Sequence, residues 1–125
     1  MKLCHSQSSP FVRKVKLAAH ILGFASELEL VETNTMNVND PIRSVNPLGK
    51  IPVLEDGGVI LYDSRVIVEY LDAKAGSCKL IPGSGATRFE TLTRAALMDG
   101  IMDAAILVVY EGRMRPEDKY VESFV

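Results

Sequence analysis

Cysteine and histidine occur only twice each, tryptophan is absent, and no apolar run approaches the roughly 18 residues that a bilayer crossing needs. Cys4 and Cys78 are too few and too far apart for a disulfide scaffold or a zinc cluster, so a reducing, cytoplasmic setting is the economical reading. His5 and His20 lack metal-ligand spacing, which predicts no metal and leaves His20 as an exposed or half-buried helix residue. No leader-type apolar stretch follows the N-terminal charge, which predicts neither secretion nor membrane association. The formal charge of -2 and the scattered basic residues argue against a nucleic-acid partner. The lack of tryptophan excludes nothing.

What is present is an ordinary globular profile of 125 residues, 47% hydrophobic and 24% charged. The most informative stretch is Ser8-Ser9-Pro10-Phe11-Val12-Arg13-Lys14-Val15. It follows a short candidate strand at residues 2–5 and opens a stripe of Val12, Val15, Ala19 and Leu22, with Gly23 as terminator. Pro10 suits the first helical position, where its missing N–H is not needed. Two hydroxyls therefore stand at a helix mouth, where free N–H groups favour an anion or thiolate. The competing reading is a plain N-cap with no ligand.

Residues 28–33 alternate as a strand with one wet face, and residues 35–47 read as loop or short helix. Ile51-Pro52-Val53-Leu54 and Val59-Ile60-Leu61-Tyr62 flank the turn signal Asp56-Gly57-Gly58, which predicts a hairpin. Pro52 is either an ordinary trans proline opening its strand or a cis residue that turns the backbone toward a ligand. Asp63 and Ser64 begin a helix carrying Val66, Ile67, Tyr70 and Leu71, which Gly76 ends. They either cap it or also offer an acceptor and a donor to a ligand with an amine and a carboxylate.

The break Ile81-Pro82-Gly83-Ser84-Gly85 predicts a domain boundary. A long helix over residues 87–111 follows, with an apolar stripe of Leu97, Ile101, Ala104 and Val108. Met98, Met102 and Tyr110 read as packing residues, and Asp99 and Asp103 share one face without the further ligands a metal needs. Arg13 adds positive potential at the helix mouth or, more simply, forms a surface ion pair or a contact to the second domain. Pro116-Glu117-Asp118-Lys119-Tyr120 reads as another helix start, which leads us to expect a truncated chain. The order of elements predicts an α/β fold with a small mixed sheet and a helical attachment.

Three motifs together resemble the glutathione S-transferases, in particular the cytosolic, bacterial, serine-using type. They are Ser8-Ser9-Pro10-Phe11-x-Arg13-Lys14-Val15, Asn46-Pro47-x-Gly49-Lys50-Ile51-Pro52-Val53-Leu54 and Leu61-x-Asp63-Ser64-x-x-Ile67-x-x-Tyr70-Leu71. The resemblance implies a thioredoxin-like N-terminal domain at residues 1–80 that binds glutathione. It also implies the start of an all-helical C-terminal domain at residues 86–125 and a homodimer. Carried over by motif, Ile51, Pro52 and Val53 form a cis-proline segment whose Val53 backbone pairs with the cysteinyl part of glutathione. Asp63 and Ser64 hold the γ-glutamyl end, with aspartate where the family usually has glutamate. Lys50 approaches the glycyl carboxylate, and Asp99 reaches the glutamyl amine across the dimer.

The catalytic position is Ser9 or Ser8, depending on which relatives set the register. Ser9 is favoured because it directly precedes Pro10, and no tyrosine stands in the first ten residues to take the role. The implied reaction is attack of the glutathione thiolate on a small hydrophobic electrophile, with glutathione as co-substrate and no metal. The alternatives are a non-catalytic binding or scaffold protein, or a glutathione-dependent peroxidase or isomerase.

Overall fold

The structure, a computed structural model, describes residues 1–119. Its sheet comprises β1 (Lys2–His5), β2 (Glu29–Glu32), β3 (Val53–Asp56) and β4 (Val59–Leu61) in the order β2-β1-β3-β4. β1 and β2 are parallel, with His5 beside Glu32; β1–β3 and β3–β4 are antiparallel, with Cys4 beside Val53 and Leu54 beside Leu61. The C-terminal ends of β1, β2 and β4 and the N-terminal end of β3 therefore meet on one edge of the sheet.

Helix α1 (Pro10–Ile21) begins with Pro10 at its first position and buries Val12, Val15, Ala18 and Ala19. Gly23 follows at φ +85°, a conformation that glycine adopts without a Cβ clash. Helix α2 (Ile42–Val45) is one turn in the loop before β3, and α3 (Ser64–Lys74) follows β4 directly. Leu3 and Leu54 from the sheet, Val12, Val15 and Ala19 from α1, and Ile67 and Leu71 from α3 form one core cluster. Burying each larger apolar side chain contributes about 1.5–3 kcal/mol. Because side chains alternate along a strand, His5 lies on the same face as Leu3, toward α1.

Strand β2 departs from expectation: Leu30 and Val31 are 43% and 37% exposed, so both of its faces are partly open. It is an edge strand, and the core beneath α1 and α3 centres on β1 and β3.

Asp72, near the end of α3, is buried and accepts backbone N–H bonds from Lys79 (2.9 Å), Leu80 (2.8 Å) and Ile81 (3.4 Å). These bonds hold a bend in which Ser77 and Cys78 adopt φ of 66° and 60°, unfavourable values for residues with a Cβ. Arg88 then bonds the Pro82 carbonyl (3.1 Å) and Glu69 of α3 (2.6 Å), fixing the start of α4 (Gly85–Met114). No helix among the described residues is long and apolar enough to cross a membrane.

The apolar stripe of helix α4 lies open in this single chain: Leu97, Ile101 and Val108 are 59%, 55% and 48% exposed, and Ala104 is exposed too. Met98 and Tyr110 are exposed as well, and Met102 is half-buried. The one buried residue of α4 is Asp99. Among the described residues nothing covers the stripe, because α4 meets the rest of the molecule through its charged side. Pro116 precedes a short 3-10 turn over Glu117–Lys119; the rest of the expected final helix, from Tyr120 on, lies outside the described residues.

Candidate functional site

The edge where the four strand ends meet also carries the N-termini of α1 and α3. Each helix start brings free N–H groups and a partial positive charge to that edge. Ser9 is the N-cap of α1: it is extended (φ -75°, ψ 119°), and its Oγ accepts from Val12 N–H at 3.3 Å. The hydroxyl proton remains free to donate elsewhere. Ser9 is half-buried, whereas Ser8 is exposed in the preceding turn.

The Ile51–Pro52 peptide is cis. Pro52 and Val53 are buried and Ile51 is half-buried, so the segment enters the sheet directly beside Cys4. Asn46, only 1% exposed, shapes the approach: its Nδ2 donates to the Lys50 carbonyl (2.9 Å), and its Oδ1 accepts from Leu48 N–H (3.0 Å). The Lys50 side chain is exposed. Asn46 opens the second family motif, and an asparagine before proline is a turn signal with a mechanism, the side chain bonding the backbone two residues on.

Asp63 is the N-cap of α3 and Ser64 its first residue, buried. Asp63 Oδ1 accepts from Arg65 N–H (2.8 Å) and Nε (3.2 Å), and Oδ2 accepts from Nη2 (3.1 Å). The Arg65 guanidinium therefore holds the Asp63 carboxyl below its ordinary range, against the opposing effect of burial. The same bonds raise the Arg65 pKa.

From α4, Asp99 joins this group. Its Oδ1 receives Lys14 Nζ at 2.6 Å, and its Oδ2 lies 3.7 Å from Arg65 Nε. Oδ2 is buried and makes no hydrogen bond. A chain of alternating charge, Lys14–Asp99–Arg65–Asp63, thus links α1, α4 and α3. Lys14 and Arg65 were not singled out from the sequence, because 85 residues separate Lys14 from Asp99 and no local pattern signals the pair. Asp103, by contrast, is exposed.

Three other side chains complete the edge. His5 Nε2 lies 3.0 Å from Glu32 Oε2, while Nδ1 is buried without a partner. Arg13 is exposed and forms no ion pair among the described residues. The half-buried Cys4 thiol is pushed up by burial, which works against a thiolate. No group of His, Cys, Asp or Glu among the described residues could hold a metal ion.

Residues 3–79 match the family model of the glutathione S-transferase N-terminal domain. The chain belongs to the glutathione S-transferase family. It is 34% identical over 112 residues to the uncharacterised GST-like protein YibF of Escherichia coli K12, covering 89% of this chain and 54% of YibF. A crystal structure of a glutathione transferase family member from Pseudomonas fluorescens Pf-5 with bound glutathione superposes at a TM-score of 0.89 and 44% identity, covering 98% of this chain and 61% of that one. A glutathione S-transferase from Methylobacillus flagellatus KT with GSH bound gives 0.87 and 40%, covering 98% and 59%. This transferase-family chain therefore spans between 54% and 61% of the length of these relatives. Its sheet, with α1 and α3 on one face and the long α4 after it, is the thioredoxin-like fold of the family followed by a long helix.

Proposed function

We propose that this chain is the glutathione-binding part of a serine-using, bacterial-type glutathione S-transferase that activates the glutathione thiol for attack on an electrophilic carbon. The observation that carries this reading is the convergence on one sheet edge of the Ser9 helix mouth, the cis Ile51–Pro52 segment and the Asp63–Ser64 helix start. Two structural relatives are described with glutathione bound, which supports the same ligand here. Residues 1–80 form the binding domain in this reading, and residues 86–125 begin the helical second domain. The setting is the reducing cytoplasm, in keeping with two unpaired cysteines, and the assembly is a homodimer.

Each group has a role that its chemistry allows. The start of β3 at Val53 offers backbone to the cysteinyl part, and the exposed Lys50 offers charge to the glycyl carboxylate. Asp63, kept ionised by Arg65, accepts from the γ-glutamyl ammonium, and Ser64 bonds the neighbouring carboxylate. Asp99 adds negative charge behind Asp63, and Lys14 and Arg65 balance it. A serine hydroxyl is too weak a base to take the thiol proton near pH 7. Ser9 instead donates a hydrogen bond to the sulfur anion while its lone pair caps Val12 N–H. A free thiol has a pKa of about 8.5. Lowering it by about two units means preferring the thiolate by about 2.7 kcal/mol.

The test titrates the thiolate absorbance of bound glutathione in Ser9→Ala and Ser8→Ala. We expect Ser9→Ala to raise the pKa of the bound thiol with modest loss of affinity, and Ser8→Ala to leave it unchanged. A shift confined to Ser8→Ala would move the role to Ser8. Tight glutathione binding without turnover of a generic electrophile by the full-length protein would leave a binding protein rather than an enzyme.

A further inference from the structure

A cavity of about 380 Å³ opens beside Ser9, on the flank of α1 that faces β2. It is built from β1, the turn after it, α1 and β2, so the first domain alone supplies it. His5, Ser9, Arg13, Lys16 and Glu32 line it, and Val12 is the one apolar residue in its wall. Such a wall suits a charged group better than the hydrocarbon body expected of a small hydrophobic electrophile.

The charges in the wall are unequal. Arg13 and Lys16 stand three residues apart on α1, both exposed, and neither is paired with an acid among the described residues. Glu32 is the opposing charge, and its Oε2 is engaged by His5 Nε2 at 3.0 Å. Two free cations against one engaged carboxylate leave a site that favours an anion.

The sheet order bears on which substrate meets it. In the sheet order β2-β1-β3-β4, Val53 and the α3 start belong to the β3–β4 side of Ser9, and the cavity belongs to the β2 side. Glutathione occupying the first side places its sulfur at Ser9, with the cavity beyond it. What enters the cavity is then the group that becomes attached to sulfur.

Resting on the glutathione reading above, we propose that the second substrate is an electrophilic carboxylic acid whose carboxylate is held by Arg13 and Lys16. For a haloacid the step is a simple displacement. The thiolate attacks the halogen-bearing carbon, the C–S bond forms, and the C–halogen bond breaks with halide leaving with the electron pair.

S-carboxymethyl-glutathione and S-carbamoylmethyl-glutathione are nearly the same size and differ by one charge. Calorimetry on the full protein should find the carboxymethyl conjugate bound about tenfold more tightly at low ionic strength. The preference should shrink as salt screens these exposed cations. In the double variant Arg13→Gln, Lys16→Gln the two conjugates should bind equally while glutathione affinity is unchanged. Equal binding of the two conjugates by the wild-type protein, or a preference that survives in the double variant, overturns the proposal and leaves glutathione binding standing. Failure of glutathione and both conjugates to bind the folded protein overturns the glutathione reading and this proposal with it.

Discussion

Replacing Lys14 with methionine tests the ion pair through which α4 is fastened to the sheet domain. The Lys14 and Asp99 side chains are 25% and 6% exposed and meet at 2.6 Å. Methionine keeps an unbranched stem and removes the charge. Asp99 is then left with Arg65 Nε at 3.7 Å as its remaining cation among the described residues. Deleting one partner of a buried pair costs about 3–5 kcal/mol. Here the lysine is a quarter exposed and Arg65 supplies a second charge, so we expect about 2 kcal/mol. With an unfolding entropy of about 2.1 cal/mol/K per residue, the whole chain gives about 0.26 kcal/mol/K, and Tm should fall by about 8 °C. Lys14 Nζ also lies 5.9 Å from the centre of the Phe11 ring, a contact that methionine loses as well. A double-mutant cycle with Asp99→Asn, read by urea unfolding, separates the two contributions. A coupling energy of at least about 1 kcal/mol is expected. Additive effects of the two substitutions would refute the claim that this pair holds α4 in place.

Asn46→Ala should cost about 1–3 kcal/mol in urea unfolding, since it leaves the Lys50 carbonyl and Leu48 N–H without their partner; an unchanged midpoint would show that water replaces the amide fully. Stability should also fall in acid. Arg65 holds the Asp63 carboxyl low in the folded protein, and Lys74 and Tyr70 do the same for Asp56. A depressed carboxylate contributes its full stability above the unfolded value of about 3.9 and loses it as pH falls through the folded value. Asp56→Asn and Asp63→Asn should therefore flatten the loss of stability below about pH 4 and leave its pH dependence near pH 7 unchanged, and an unaltered acid slope would contradict both assignments.

Local chemistry made much of this fold legible. Pro10 after Ser9 marked the start of α1, Gly57-Gly58 marked the hairpin, and Asp63 marked the start of α3, because caps and turns are decided by a few neighbouring residues. The family motifs lie in the same short segments, so the candidate site could be read where local signals carried it. What stayed hidden depends on distance along the chain. The partnership of His5 with Glu32 follows from a parallel register that exists only once β1 and β2 are known to be neighbours. What covers the stripe of α4 is not legible either, since a 3.6-residue period identifies a stripe but not its partner. The residue of α4 that does go inside is an aspartate, and its burial rests on cations from two other helices.

Asp72 has a consequence for how the molecule comes apart. Its carboxylate holds the amides of residues 79–81, so the segment leaving α3 shares the fate of the sheet domain rather than behaving as a free tether. Amide protons there should exchange with solvent at the rate of α3, and a protease should find its first accessible bond beyond Ile81. The place where the chain can be cut cleanly is thus set by a single side chain nine residues upstream of the last amide it holds.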